Sequence, residues 1–147
     1  MAEHIENIKL LRLIQTFRRS YEAALRPVEL EYDLTRNEVD ILLFLANNPD
    51  CNTASDIVEL RGLTKSHVCK SVASLSCRSY ISETLDRQDR RRVRLTLLPA
   101  SAKAVQAALE VQQAFFERLY QDFTPEEHLV LSSALNKISH NIGGKAW

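Results

Sequence analysis

Glycine and proline are scarce, three and four among 147 residues. Linkers, repeats and low-complexity tracts need more of both, so the composition excludes a string of small modules and favours long helices. No apolar run approaches the roughly 20 residues that span a bilayer. Glutamates interrupt Met1 to Leu11, where a secretory leader would have its apolar stretch. A cytoplasmic protein without membrane contact is therefore expected. The three cysteines, Cys51, Cys69 and Cys77, form no CxxC pair, and their odd number suits a reducing compartment better than a disulfide framework. The chain also has no glycine-rich phosphate loop, no HExxH, no GxSxG and no paired carboxylates on one predicted face, so no enzyme is expected. His4, His67, His128 and His140 stand at no spacing that would chelate, and neither a metal nor another cofactor is expected.

One absence is local. Residues 61–82 contain no carboxylate, although about one residue in eight of the chain is acidic. Net charge is zero, but its distribution is uneven: Arg61 to Lys103 holds ten Lys/Arg against three Asp/Glu, net +7, and the remainder holds nine against sixteen, net −7. A polyanion would be drawn to the first segment and kept off the rest, which orients an encounter as well as strengthening it.

The length fits one compact domain, or one domain with a helical extension. Ile5, Ile8, Leu11, Ile14, Phe17, Tyr21 and Leu25 recur three or four apart, an amphipathic helix expected to break or kink near Pro27. Thr35-Arg-Asn-Glu38 fits a capping box with Leu34 and Val39 as a hydrophobic staple. It opens a second helix that is apolar almost all round to Ala46 and stops at Asn47-Asn-Pro-Asp50. Thr53 opens a short third helix with Ile57, Val58 and Leu60 inward, and Gly62 ends it. Thr64 caps a fourth, Lys65 to about Arg78. Two strand-like runs follow, Tyr80 to Leu85 and Val93 to Leu98. Pro99 begins a long helix carrying Ala102, Val105, Leu109, Phe116, Leu119 and Phe123, and Thr124-Pro-Glu-Glu127 caps a last one that Gly143-Gly144 terminates.

Two short helices joined at Gly62 and followed by a hairpin are the order of a winged helix-turn-helix, whose second helix enters the major groove of DNA. In the fourth helix Val68, Val72 and Leu75 face inward and leave Lys65, Ser66, His67, Cys69, Lys70 and Ser74 outward. Small hydroxyl side chains allow close approach, and lysines reach phosphates or guanine edges. The hairpin tip, Asp86-Arg-Gln-Asp-Arg-Arg-Arg92, carries four arginines, Arg87, Arg90, Arg91 and Arg92. Arg90, nearest its centre, is the candidate for the minor groove. Asp86 and Asp89 either brace these arginines by charge-assisted hydrogen bonds or form the turn. The DNA-binding set is thus Thr64, Lys65, Ser66, His67, Lys70, Arg87, Arg90, Arg91 and Arg92.

The order of helices, the wing sequence Asp86-Arg-Gln-Asp-Arg-Arg91 and the pattern from Leu34 to Val105 resemble the MarR family of bacterial transcription regulators. The resemblance covers the central two thirds of the chain well, and the ends in their helical pattern. It implies a homodimer with interlocked terminal helices, two winged helices spaced for a pseudo-palindromic operator, and often a small-molecule pocket between the two layers. The chain departs from the family pattern at Ser79 and Ser101, where glycine is usual, and at Leu98, where threonine is usual.

The expected fold is mostly α with a small β-hairpin wing, residues 35–98 forming the winged helix-turn-helix and residues 1–34 and 99–147 a helical dimerisation region. The terminal helices carry more apolar surface than a small winged domain covers, which argues for a second copy. Phe17, Tyr21, Phe44, Phe115, Phe116 and Tyr120, with Arg18 or Arg19 as carboxylate partner, are candidates for an aromatic or amphipathic effector pocket, set against the reading that they are core. Cys69 is a candidate redox sensor, set against the reading of a buried or half-buried structural thiol. The expected function is a dimeric repressor on double-stranded DNA, released when a ligand or an oxidant shifts its wings. The rival is a winged-helix module that binds an acidic protein through the same hairpin.

Overall fold

The computed structural model describes residues 2–144, with side chains from Glu6 onward. Ile5 and His4, named above, lie outside the described side chains. Helix α1 runs Ala2–Tyr32 without interruption across Pro27. The expected break does not occur. A proline removes one helical N–H donor, and the loss is offset here by Leu25 and Val28 on either side, 0% and 3% exposed, which anchor this stretch in the core. The helix ends at Asp33, whose positive φ of 51° lets the Leu34 amide reach back to the Glu29 carbonyl at 2.9 Å.

Helix α2, Arg36–Asn47, begins on the expected capping box, Thr35 accepting from the Glu38 amide and Glu38 accepting from the Thr35 amide. Leu34 and Val39 are both buried, and Val39 to Leu45 form the centre of the core. The third helix has the expected limits, from the Thr53 cap to Gly62, but changes type along its length. Its α-helical part, α3, spans Ala54–Asp56 and passes into a π-helical turn, Ile57–Arg61, before Gly62 reverses the chain at φ 77°. Ile57 is fully buried, whereas Val58 and Leu60 are half-buried against the core.

Helix α4, Lys65–Cys77, is capped by the Thr64 hydroxyl, which accepts from the His67 amide. Val68, Val72, Leu75 and also Ser71 are buried. Strands β1, Ile81–Leu85, and β2, Val93–Leu97, pair antiparallel with Ile81 opposite Leu97 and Leu85 opposite Val93. The chain ahead of α3 adds a short rung, the Leu95 amide donating to the Asn52 carbonyl at 2.8 Å. A 3-10 turn, Pro99–Ser101, leads into α5, Ala102–Leu119. Helix α6 spans Pro125–Asn141 behind a complete Thr124/Glu127 capping box, and Phe123 lies between the two helices rather than in α5.

Contacts divide the chain into two units, one up to Phe115 and one from Phe116. In the first, the core crosses the boundaries expected at residues 34 and 99. Leu25 and Val28 of α1 and Ala104, Val105 and Ala108 of α5 are buried in one cluster with α2 and α4. Along α1 the apolar stripe changes character: Leu11 and Ile14 are 65% and 55% exposed while Leu25 is sealed. In the second unit α6 has no buried residue among those described, and Leu129, Val130, Leu135 and Ile142 are open to solvent.

Candidate nucleic-acid interface

Burying Val68, Val72 and Leu75 fixes the rotation of α4, so the opposite face of the helix must be presented to solvent. Thr64, Lys65, Ser66, His67, Cys69 and Lys70 are all exposed. The hairpin packs against the same helix, where the Ser76 hydroxyl donates to a Glu83 carboxylate oxygen at 2.8 Å. Ala54, Cys69, Val72 and Ala73 face Glu83, Val93 and Leu95 across a groove of about 240 Å³. A second groove, about 350 Å³, runs between His67, Lys70 and Ser74 of α4 and Thr35, Asn37 and Glu38 at the start of α2. Asn37 was not singled out by sequence, since nothing in its spacing ties it to α4.

The wing is organised by Asp86. One carboxylate oxygen accepts the Gln88 amide at 2.7 Å and the Asp89 amide at 3.3 Å, and the other accepts the Arg94 Nε at 2.8 Å. Arg94 Nη1 continues to the Asn52 side-chain oxygen at 2.8 Å. The two backbone amides first, and Arg94 after them, hold the Asp86 carboxyl below the usual carboxylate range. Asp86 therefore makes the turn and also braces an arginine, but that arginine is Arg94 on β2 rather than one at the tip. Asp89 accepts the Arg91 amide at 3.0 Å, a turn contact. Arg87, Arg90, Arg91 and Arg92 are exposed, and among the described residues none makes an ion pair. Four guanidinium groups are thus held at a turn whose own carboxylates are taken up by the turn's backbone amides and by Arg94.

Two other cations of the basic segment are committed internally. Arg61 Nη2 lies 3.1 Å from Asp40 Oδ2. Arg78 donates to the Tyr32 and Asp33 carbonyls at 2.7 Å each. Asp40 also approaches Arg36 Nε at 3.5 Å, while Arg36 Nη1 meets Glu29 at 3.3 Å. Burial pushes the Asp40 carboxyl up, and the charges of Arg61 and Arg36 oppose that shift.

The effector candidates divide between the two units. Phe17, Tyr21 and Phe115 form one ring cluster with centroids 5.2 to 6.0 Å apart. Phe116 and Tyr120 stack in the second unit, where Tyr120 also meets Phe123 and His128. Phe44 is core, 7% exposed. Arg18 turns to Glu22 at 3.0 Å on the exposed side of α1. Cys69 and Cys77 are exposed and Cys51 is half-buried, so the expectation of buried or half-buried thiols holds for Cys51 alone.

Residues 32–92 match the model of the MarR family. A stretch of 113 residues is 24% identical to YsmB, an uncharacterised HTH-type transcriptional regulator of Bacillus subtilis (strain 168). It spans 77% of this chain and 65% of that relative, slightly less than two thirds of the relative's length. Among solved structures, a regulator from Listeria monocytogenes described as of the MarR family, in complex with a 26mer DNA, superimposes with a TM-score of 0.77 at 16% identity, covering 90% of this chain and 87% of that one. The S. aureus MepR–DNA complex gives 0.74 at 22% identity, covering 90% and 94%. At these identities the structural likeness is one of fold. The segment that matches the MarR family model, residues 32–92, holds α2, α3, α4 and β1 and ends at the tip arginines, and the fold is that of solved structures described as MarR-family regulators.

Proposed function

We propose that this protein is a dimeric, sequence-specific DNA-binding regulator that lays α4 in a major groove and the hairpin tip along the backbone and into the adjacent minor groove. The observation that carries this reading is the pairing of an exposed, carboxylate-free face of α4 with four unpaired tip arginines on a hairpin packed against the same helix. Phosphate contacts from Lys65, Arg91 and Arg92 supply position and affinity, Lys70 reaches a phosphate or a base edge, and His67, Ser66 and Arg90 are the groove-facing side chains. Dimerisation is supported by the open apolar residues of α1 and α6, among them Leu11, Ile14, Leu129 and Val130, which a monomer leaves in water. A two-fold dimer presents two α4 helices and so reads an inverted repeat. That MepR and the Listeria regulator were captured on DNA agrees with this reading.

Selection of bound sites from random duplex tests it. An enriched inverted repeat with a fixed half-site spacing is the expected outcome. Recovery of unenriched sequence, together with tight capture of acidic protein, would favour a winged protein-interaction module instead.

A further inference from the structure

Helices α1 and α4 end alike. Each is closed by a residue in the left-handed region, Asp33 at φ 51° and Ser79 at φ 57°. Each then folds the next amide back, Leu34 to the Glu29 carbonyl and Tyr80 to the Leu75 carbonyl, both at 2.9 Å. The final carbonyls of a helix lack helical partners and carry the negative end of its dipole. At the end of α1 these groups are met by a side chain 45 residues further along, Arg78. Its Nη1 donates to the Asp33 carbonyl and its Nη2 to the Tyr32 carbonyl, both at 2.7 Å. Nη2 also lies 3.2 Å from the Tyr80 hydroxyl, and the guanidinium carbon sits 4.5 Å from the Tyr80 ring centre.

A stacked guanidinium with two donors on two successive carbonyls fixes direction as well as distance, which a single ammonium does not. Helix α2 packs against both α1 and α4, and Arg78 adds a direct polar tie between their C-terminal ends. Helix α1 bears part of the apolar surface assigned above to dimerisation, and α4 bears the groove-facing residues. The angle between them therefore sets how far apart two α4 helices lie in a dimer.

We propose that Arg78 is a positioning residue for DNA recognition: by locking the end of α4 to the end of α1 it sets the half-site spacing that the dimer accepts. The inference rests on the operator-binding reading above. Arg78→Gln and Arg78→Lys are compared with the unsubstituted protein on the selected inverted repeat, on the same repeat with one base pair inserted or removed between half-sites, and on unrelated duplex. The unsubstituted protein discriminates sharply among spacings. Both variants lose about tenfold on the original repeat, the scale of one charge-assisted contact. Their preference for it over the respaced repeats falls toward unity, while affinity for unrelated duplex is unchanged. A role confined to stability lowers the melting temperature and leaves the spacing preference intact, which overturns the proposal. Arg78→Lys keeps the charge and one carbonyl contact, so the measurement stands on it should Arg78→Gln fail to fold. Absence of any site preference in the unsubstituted protein is a failure of the operator-binding reading itself, seen before any substitution is made.

Discussion

Arg94 closes on Asp86 with two guanidinium nitrogens on one carboxylate oxygen, Nη2 at 2.6 Å and Nε at 2.8 Å. The other oxygen is filled by the amides of Gln88 and Asp89. One carboxylate thus shapes the turn that carries the tip arginines and joins the tip end of the hairpin, through Arg94 and Asn52, to the chain entering α3.

Replacing Asp86 by asparagine should loosen the tip without unfolding the domain, because the hairpin's apolar side, with Leu95 1% exposed, is anchored independently. Amide hydrogen exchange at Gln88 and Asp89 should quicken, and DNA affinity should fall. The carboxyl is held below its ordinary range, so its contribution is present above the unfolded carboxylate pKa and is lost as pH falls through the lowered folded value. Variant and parent should therefore converge in acid. Unchanged exchange at neutral pH would remove Asp86 from the role assigned to it.

Arg90→Ala should weaken binding to the selected site by about 1 to 3 kcal/mol with no change in melting temperature, as for loss of one groove contact. Lys70→Ala should weaken all duplexes alike if Lys70 meets phosphate, and should relax preference at one base pair if it reads a base. Anisotropy titrations on the site and on single-base variants separate these outcomes.

Asp40 behaves oppositely to Asp86. Its carboxyl is raised by burial in spite of Arg61 and Arg36, so between the ordinary carboxylate pKa and the raised one the folded chain holds a proton that the unfolded chain has released. Stability from this group consequently declines as pH rises through that window. Neither Asp40 Oδ1 nor Arg36 Nη2 has a hydrogen-bond partner among the described residues, which agrees with an under-compensated buried charge. Asp40→Asn should be neutral to stabilising at pH 7, and the difference should vanish as pH drops to the ordinary carboxylate range. Denaturant titrations across pH measure it, and a large destabilisation at neutral pH would contradict this account.

Ser79 occupies the left-handed region at φ 57°, a conformation that costs a residue with a Cβ roughly 1 to 2 kcal/mol. Ser79→Gly relieves that cost and gives back part of it as chain entropy in the unfolded state, leaving a gain of about 0.5 to 1 kcal/mol. Thermal unfolding should show a higher midpoint. A lower one would mean that the serine side chain contributes more than its backbone strain costs.

Ser79 also shows what was legible beforehand, since its backbone conformation is the one for which glycine is commonly chosen at a helix end. Local chemistry carried through to structure. The Thr35/Glu38 and Thr124/Glu127 capping boxes, the Gly62 reversal and the hairpin limits each depend on residues within a few positions of one another. What distant packing decides was not legible: α1 continues through Pro27, where the core holds Leu25 and Val28, and two cations of the basic segment, Arg61 and Arg78, meet Asp40 and the end of α1. The partners of Arg94, Asp86 and Asn52, are brought to it only by the folding of the wing. The aromatic residues look alike in sequence, and only the fold buries Phe44 in the core and gathers Phe17, Tyr21 and Phe115 into a ring cluster, with Tyr21 packed against that core.

The most direct measurement is duplex affinity as a function of salt. With tip arginines and α4 lysines on phosphates, the logarithm of the binding constant should fall linearly and steeply with the logarithm of salt concentration, and removing one phosphate-contacting cation such as Arg91 should reduce the slope by about 1. Affinity that is insensitive to salt, or a slope untouched by Arg91→Ala, Arg92→Ala and Lys65→Ala alike, would contradict the assignment of this surface to DNA.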